Sequence, residues 1–173
     1  MSRGFVKEDD AQTPPIVPPR AALPSGSPNY VTPNGLAQLR TELAELEAER
    51  GAADTNRTGN DTDRSHQLSL LHGRLALLTE RIASAKVIDP ATQPAGEVRF
   101  GATVTLRTQR GGKVGFERTF TIVGVDEASV KEGKVAFVAP IARAVQGARL
   151  GQVLTLQLGP QPEEVEVIAL SYQ

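Results

Sequence analysis

A chain of 173 residues with a formal net charge of −1 and 39% hydrophobic residues is long enough for one or two small domains, and its lack of cysteine excludes disulfides, thiolate chemistry and the usual zinc sites. The charge balance gives no global attraction for nucleic acid, and 4% aromatic residues with no tryptophan leave little from which to build a base-stacking platform. No apolar run approaches the roughly 18 residues of a membrane span and residues 1–30 lack the apolar centre of a signal peptide, so the expected compartment is the cytoplasm, with no membrane partner.

Residues 1–29 hold Pro14, Pro15, Pro18, Pro19, Pro24 and Pro28 among small and charged residues with no apolar period. Such a composition cannot bury enough surface to offset its ordering entropy, and a disordered or extended tail is expected. Within it, Arg3, Phe5, Val6 and Lys7 form a candidate docking peptide, set against the plainer reading of a solvated tail.

Residues 30–89 predict an antiparallel coiled-coil hairpin. Leu36, Leu39, Leu43 and Leu46 recur at spacings of three, four and three, one stripe of an α-helix, and Leu68, Leu71, Leu75, Leu78 and Ile82 repeat the alternation. Glu42, Glu45, Glu47, Glu49, Arg74, Glu80 and Arg81 keep the other faces polar, so the two narrow seams bury most simply against each other. Thr32 as a cap followed by Pro33 starts the first arm, and loss of the apolar period ends it near Arg50. Asp61, Asp63 or Ser65 could each cap the second arm, which Asp89-Pro90 ends. Arms of about 27 Å and about 37 Å follow at about 1.5 Å per residue.

Residues 90–96 read as a Pro/Gly/Ala linker, and residues 97–173 change to strand period. Strands are expected over 102–108, 114–125, 134–138, 152–158 and 164–170, the first two joined by a turn at Gly111-Gly112. A short helix over 141–146 opens at Pro140 and stops at Gly147. The class is α+β in two parts, a helical hairpin followed by a sheet with one helix on a face.

Three groups of residues suggest chemistry. Arg107, Arg110, Lys113 and Arg118 gather around the Gly-Gly turn and could touch phosphate, against the plainer reading of a solvated hairpin tip. Asp54, Asp61 and Asp63 could be a metal-assisting tip, against helix capping and loop solvation. His66 and His72 are six apart and do not share a helix face as ligands at spacing four would. No cofactor is implied.

The whole order resembles the bacterial Gre family of transcription elongation factors. The likeness lies in Tyr30-Val31-Thr32-Pro33-Asn34-Gly35-Leu36 with the leucines that follow, in Ile122-Val123-Gly124-Val125-Asp126-Glu127-Ala128, in Ala139-Pro140-Ile141-Ala142-Arg143-Ala144, and in Leu150-Gly151. It implies an N-terminal coiled coil and an FKBP-like antiparallel sheet domain that docks on RNA polymerase near its secondary channel, with Asp126, Glu127, Pro140, Ile141, Ala142 and Arg143 as the docking surface. It also implies that the hairpin enters the channel, where acids at its tip help hold the polymerase's Mg²⁺ and the polymerase's own site cuts backtracked RNA. The chain would then be a monomer, close to the DNA and RNA of the elongation complex and not itself an enzyme. Two features depart from the family pattern: Asp63 corresponds to its first tip acid, but His66 stands where a glutamate is expected, and the hairpin is shorter by a few turns. Both resemble the shortened-coil, Rnk-like branch, whose members bind polymerase without obvious cleavage-stimulating tips. The FKBP likeness carries a rival from the enzyme class, a peptidyl-prolyl isomerase using some of Phe100, Phe116, Phe120, Phe137 and Tyr172. A self-associating coiled-coil module is a third reading.

Overall fold

The computed structural model describes residues 13–173, and the Arg3, Phe5, Val6, Lys7 peptide lies outside them. Two helices, α1 (Pro33–Thr55) and α2 (Asp61–Ala83), form the hairpin. Leu39, Leu46, Leu71, Leu75 and Leu78 are buried between them, with Leu36, Leu43, Leu68 and Ile82 partly buried beside them. These are the residues of the two predicted seams. Each fully buried leucine contributes roughly 1.5–3 kcal/mol, so the seam holds together arms that would be marginal helices alone.

Both arm ends differ from expectation. The first arm continues past Gly51 to Thr55, because Ala52 and Ala53 are good helix formers and Ala53 is buried in the seam, which outweighs the roughly 1 kcal/mol cost of a helical glycine. The second arm stops at Ala83 rather than at Asp89. Ala85–Val87 becomes β2, which pairs in parallel with β1 (Asn29–Val31). Asn29 is buried, and its side-chain amide donates to the Arg81 carbonyl (2.9 Å) and to Ser84 Oγ (3.1 Å), satisfying groups at the end of α2. Each helix has 23 residues, about 34 Å at about 1.5 Å per residue.

The second part is a five-stranded sheet made of β3 (Ala102–Arg110), β4 (Glu117–Val123), β5 (Lys134–Ala136), β6 (Val153–Leu156) and β7 (Glu163–Tyr172), in the order β5-β4-β3-β7-β6. It is mixed rather than wholly antiparallel, since β4 and β5 run parallel. The alternation along β3 decides its faces: Ala102, Val104, Leu106 and Thr108 are buried, while Thr103, Thr105 and Arg107 look away. Helix α3 (Pro140–Val145) covers the buried face with Ala142 and Val145, completing a core with Phe120, Ile122, Val165 and Val167. Strand β4 begins at Glu117, later than predicted, because residues 111–116 form the turn and leave Val114 and Phe116 exposed. Gly111 there has φ +81°, and a Cβ would strike the Pro162 carbonyl oxygen.

The two parts share packing. Tyr30 of β1 lies against Phe100 (ring centroids 5.8 Å) and Phe137 (5.4 Å), and Ile88 joins the same core. Pro90, expected in a linker, is buried against Gly101.

Candidate functional site

The hairpin tip is residues 56–60, with Gly59 at φ +130°. Asn60 caps α2, its side-chain oxygen accepting from Thr62 N (3.0 Å), so none of Asp61, Asp63 and Ser65 is the cap. Asp61 and Asp63 are left exposed in the first turn of α2, where the helix dipole favours negative charge. Asp61 lies 3.5 Å from Arg64 Nη2, and His66 is exposed one turn further on. His72 is exposed and Asp54 lies near the end of α1. Among the described residues no group of three or more acidic, histidine or cysteine side chains could hold a metal ion.

The segment 124–128 does not present an exposed acid pair. Glu127 is buried and accepts a hydrogen bond from Thr32 Oγ1 (2.6 Å), while the same Thr32 oxygen accepts from Gly35 N (2.9 Å). The chain of bonds runs from the first turn of α1 through its cap to a carboxylate of the sheet domain. A carboxylate there also complements the positive end of α1. The fit excludes larger residues: a Cβ at Gly35 would lie 2.7 Å from Glu127 Oε2, and one at Gly124 would lie 2.7 Å from the Tyr30 carbonyl oxygen.

Asp126 also faces the hairpin. Arg20 donates to its Oδ1 from Nε (3.1 Å) and Nη2 (3.0 Å), and donates to both carboxylate oxygens of Glu42 (2.8 and 2.9 Å). Arg81 Nη1 lies 3.3 Å from Asp126 Oδ2 without hydrogen-bond alignment. The Asp126 side chain is only 9% exposed. The Glu42 carboxyl is held below its ordinary value, chiefly by the hydrogen bonds from Arg20, against the opposing effect of burial and with help from the Arg20 and Arg74 charges. Arg20, Glu42 and Arg81 were missed as members of this cluster. Arg20 stands in a proline-rich stretch with no periodicity, and the other two are polar positions on amphipathic helices, so no local signal pairs them with Asp126.

At the start of α3, Pro140 and Arg143 are exposed, Ile141 is half-buried against the core, and Ala142 is buried within it. Ala142 is therefore a packing residue, and the accessible part of the predicted surface is Pro140 with Arg143. The basic turn is largely neutralised. Arg107 donates to Glu117 from Nε (2.9 Å) and Nη2 (2.8 Å), Arg118 pairs with Glu163, and Arg110 lies 3.9 Å from Glu164, so Lys113 alone of the four has no acidic partner among the described residues. Glu163 is held low by hydrogen bonds from Thr108 and then Arg118.

Residues 93–172 match the family model for the C-terminal domain of the transcription elongation factors GreA and GreB. By that domain the chain belongs to the GreA/GreB family. It is 39% identical over 107 residues to transcription elongation factor GreA of Thioalkalivibrio sulfidiphilus, a match covering 61% of this chain and 66% of that one. It is 38% identical over 100 residues to GreB of Neisseria meningitidis serogroup A, covering 57% and 59%. The chain thus spans slightly under two thirds of these GreA and GreB relatives. Among solved structures it is similar to GreA factor homolog 1 of Thermus thermophilus, with 19% identity, a TM-score of 0.38 and coverage of 84% and 99%. In this GreA/GreB-family chain, residues 122–128 are where the sheet domain grips the base of the hairpin.

Proposed function

We propose that this chain is a transcription elongation factor that binds RNA polymerase through its C-terminal domain, at the secondary channel, and directs its helical hairpin into that channel. The observation that carries the reading is the likeness to GreA in sequence, on a chain whose two 23-residue helices end in a narrow, polar, solvent-exposed tip. Docking falls to Pro140, Arg143 and the rim of the 124–128 loop, with an apolar centre and charged edge of the kind that small interfaces use. The factor works in the cytoplasm as a monomer, with polymerase as its partner and the DNA and RNA of the elongation complex nearby.

At the tip, Asp61 and Asp63 are free of capping duty and carry the charge that could assist a Mg²⁺ held by the polymerase. The described residues offer no group of three or more acidic, histidine or cysteine ligands, so the Mg²⁺ would be held chiefly by the polymerase, with a tip carboxylate assisting. Cleavage of backtracked RNA would then remain the polymerase's reaction. A second reading, a Rnk-like occupant that competes with longer factors and does not stimulate cleavage, is favoured by His66, whose neutral imidazole is a poor substitute for a carboxylate on Mg²⁺. Stalled, backtracked complexes separate the two. Cleavage stimulated by the wild type and lost in Asp61→Asn/Asp63→Asn supports tip assistance, and binding without stimulation supports the occupant.

The isomerase reading loses ground on geometry. The cavity bordered by Tyr30, Phe100 and Phe137 is about 40 Å³, because the three rings pack on one another. Small-molecule sites run to roughly 300 Å³ or more.

A further inference from the structure

We propose that residues 17–23 are a releasable strap that masks the Asp126 carboxylate of the docking loop, so that polymerase binding requires the strap to lift. The inference rests on the docking reading above and adds a regulation of that same surface.

The strap has no regular secondary structure, but Pro18 and Pro19 pre-set an extended backbone, which lowers the entropy lost on laying it down. It touches three elements. Val17 lies over Gly73 of α2, where an added Cβ would sit 3.3 Å from Val17 Cβ. Arg20 bridges Glu42 of α1 and Asp126 of the sheet domain. The Ala21 carbonyl accepts from Arg81 Nη2 at 2.6 Å. Apart from Val17 on Gly73 these contacts are polar, and none involves a core residue of the strap. Cavities of about 360 and 460 Å³ run along the strap, bordered by Pro18, Pro19, Leu77 and Arg81, and Ile16 next to it is 89% exposed. None of residues 17–23 belongs to either hydrophobic core, so the strap can lift away from the cavities beneath it without breaking a core.

Charge decides what the uncovered patch would accept. With the strap in place, Arg20 and Arg81 balance Glu42 and Asp126. With Arg20 withdrawn, Arg74 still faces Glu42 and Arg81 still lies by Asp126 Oδ2, but Asp126 Oδ1 loses both of its donors, and the loop can receive there an arginine or lysine of the docking partner. Arg20 then acts as an internal stand-in for that side chain.

The absence of native cysteines permits a clean test in the full chain, Val17→Cys/Gly73→Cys. The Cβ separation there is close to the roughly 3.5–4.5 Å that a disulfide uses. Affinity for core RNA polymerase is measured for the oxidised and reduced forms of this variant, for Arg20→Ala and for the wild type. The oxidised form is expected to bind at least tenfold more weakly than its own reduced form. Arg20→Ala is expected to bind about tenfold more tightly than wild type, the gain when a strap closed about nine-tenths of the time no longer has to open. Equal affinity of oxidised and reduced forms, or weaker binding by Arg20→Ala, overturns the strap while leaving docking intact. Binding by no form, the reduced one included, overturns the docking reading and the strap's role with it.

Discussion

Thr32 shows at the scale of one residue how the two parts are joined. Its hydroxyl serves the amide of Gly35 and the carboxylate of Glu127 at once, so removing it costs a helix cap and leaves a buried carboxylate short of a partner. Thr32→Val should destabilise the chain by about 2–3 kcal/mol in urea unfolding, with Thr32→Ser recovering most of the loss, as expected for a cap and a charge-assisted bond lost together. Gly124→Ala should cost more than an exposed Gly→Ala change, since its Cβ would meet the Tyr30 carbonyl. The cap itself was legible, because a Thr-Pro start is a local signature. Its partner was not: Glu127 lies 95 positions away, and an Asp-Glu pair in a loop reads as solvated until the fold shows which way it turns.

Among the elements, the hairpin was the most legible, because leucines at helical spacing fix both the helix and the face it buries. Leu78→Ala, at a fully buried seam position, should cost about 2–5 kcal/mol in the same unfolding measurement. The arm ends were less legible. Gly51 reads as a stop, but burial of Ala53 carries α1 through it, and residues 85–87 follow the partner strand 29–31 rather than helical propensity. The strap was the least legible element, since composition alone assigns a proline-rich stretch to solvent. Its grip should depend on pH. The carboxyl of Glu42, facing Arg20 and Arg74, lies below its ordinary value of 4.5, so the stabilising pair is fully present above that value and is lost as pH falls through the lowered one. NMR titration of the Arg20 guanidinium should follow that loss, and Glu42→Gln should remove the part of the transition that Glu42 causes, leaving only what Asp126 contributes.

For the whole molecule, the sheet domain and the hairpin are bound by an aromatic cluster, a cap shared across the junction and Arg81 beside Asp126, so the tip points in a direction set by the sheet domain. A factor that docks by one end and acts at the other needs that rigidity, because each lost helical turn withdraws the tip by about 5.4 Å. The two-part class was readable from the change of apolar period at residue 97, whereas the grip between the parts depends on contacts too distant in sequence for any pattern to announce. The most direct measurement of the central claim is a photocrosslinker on Thr58→Cys at the hairpin tip, mapped on core RNA polymerase. Crosslinks to residues lining the secondary channel are the predicted result. Crosslinks confined to the outer surface of the polymerase, with binding intact, would contradict it.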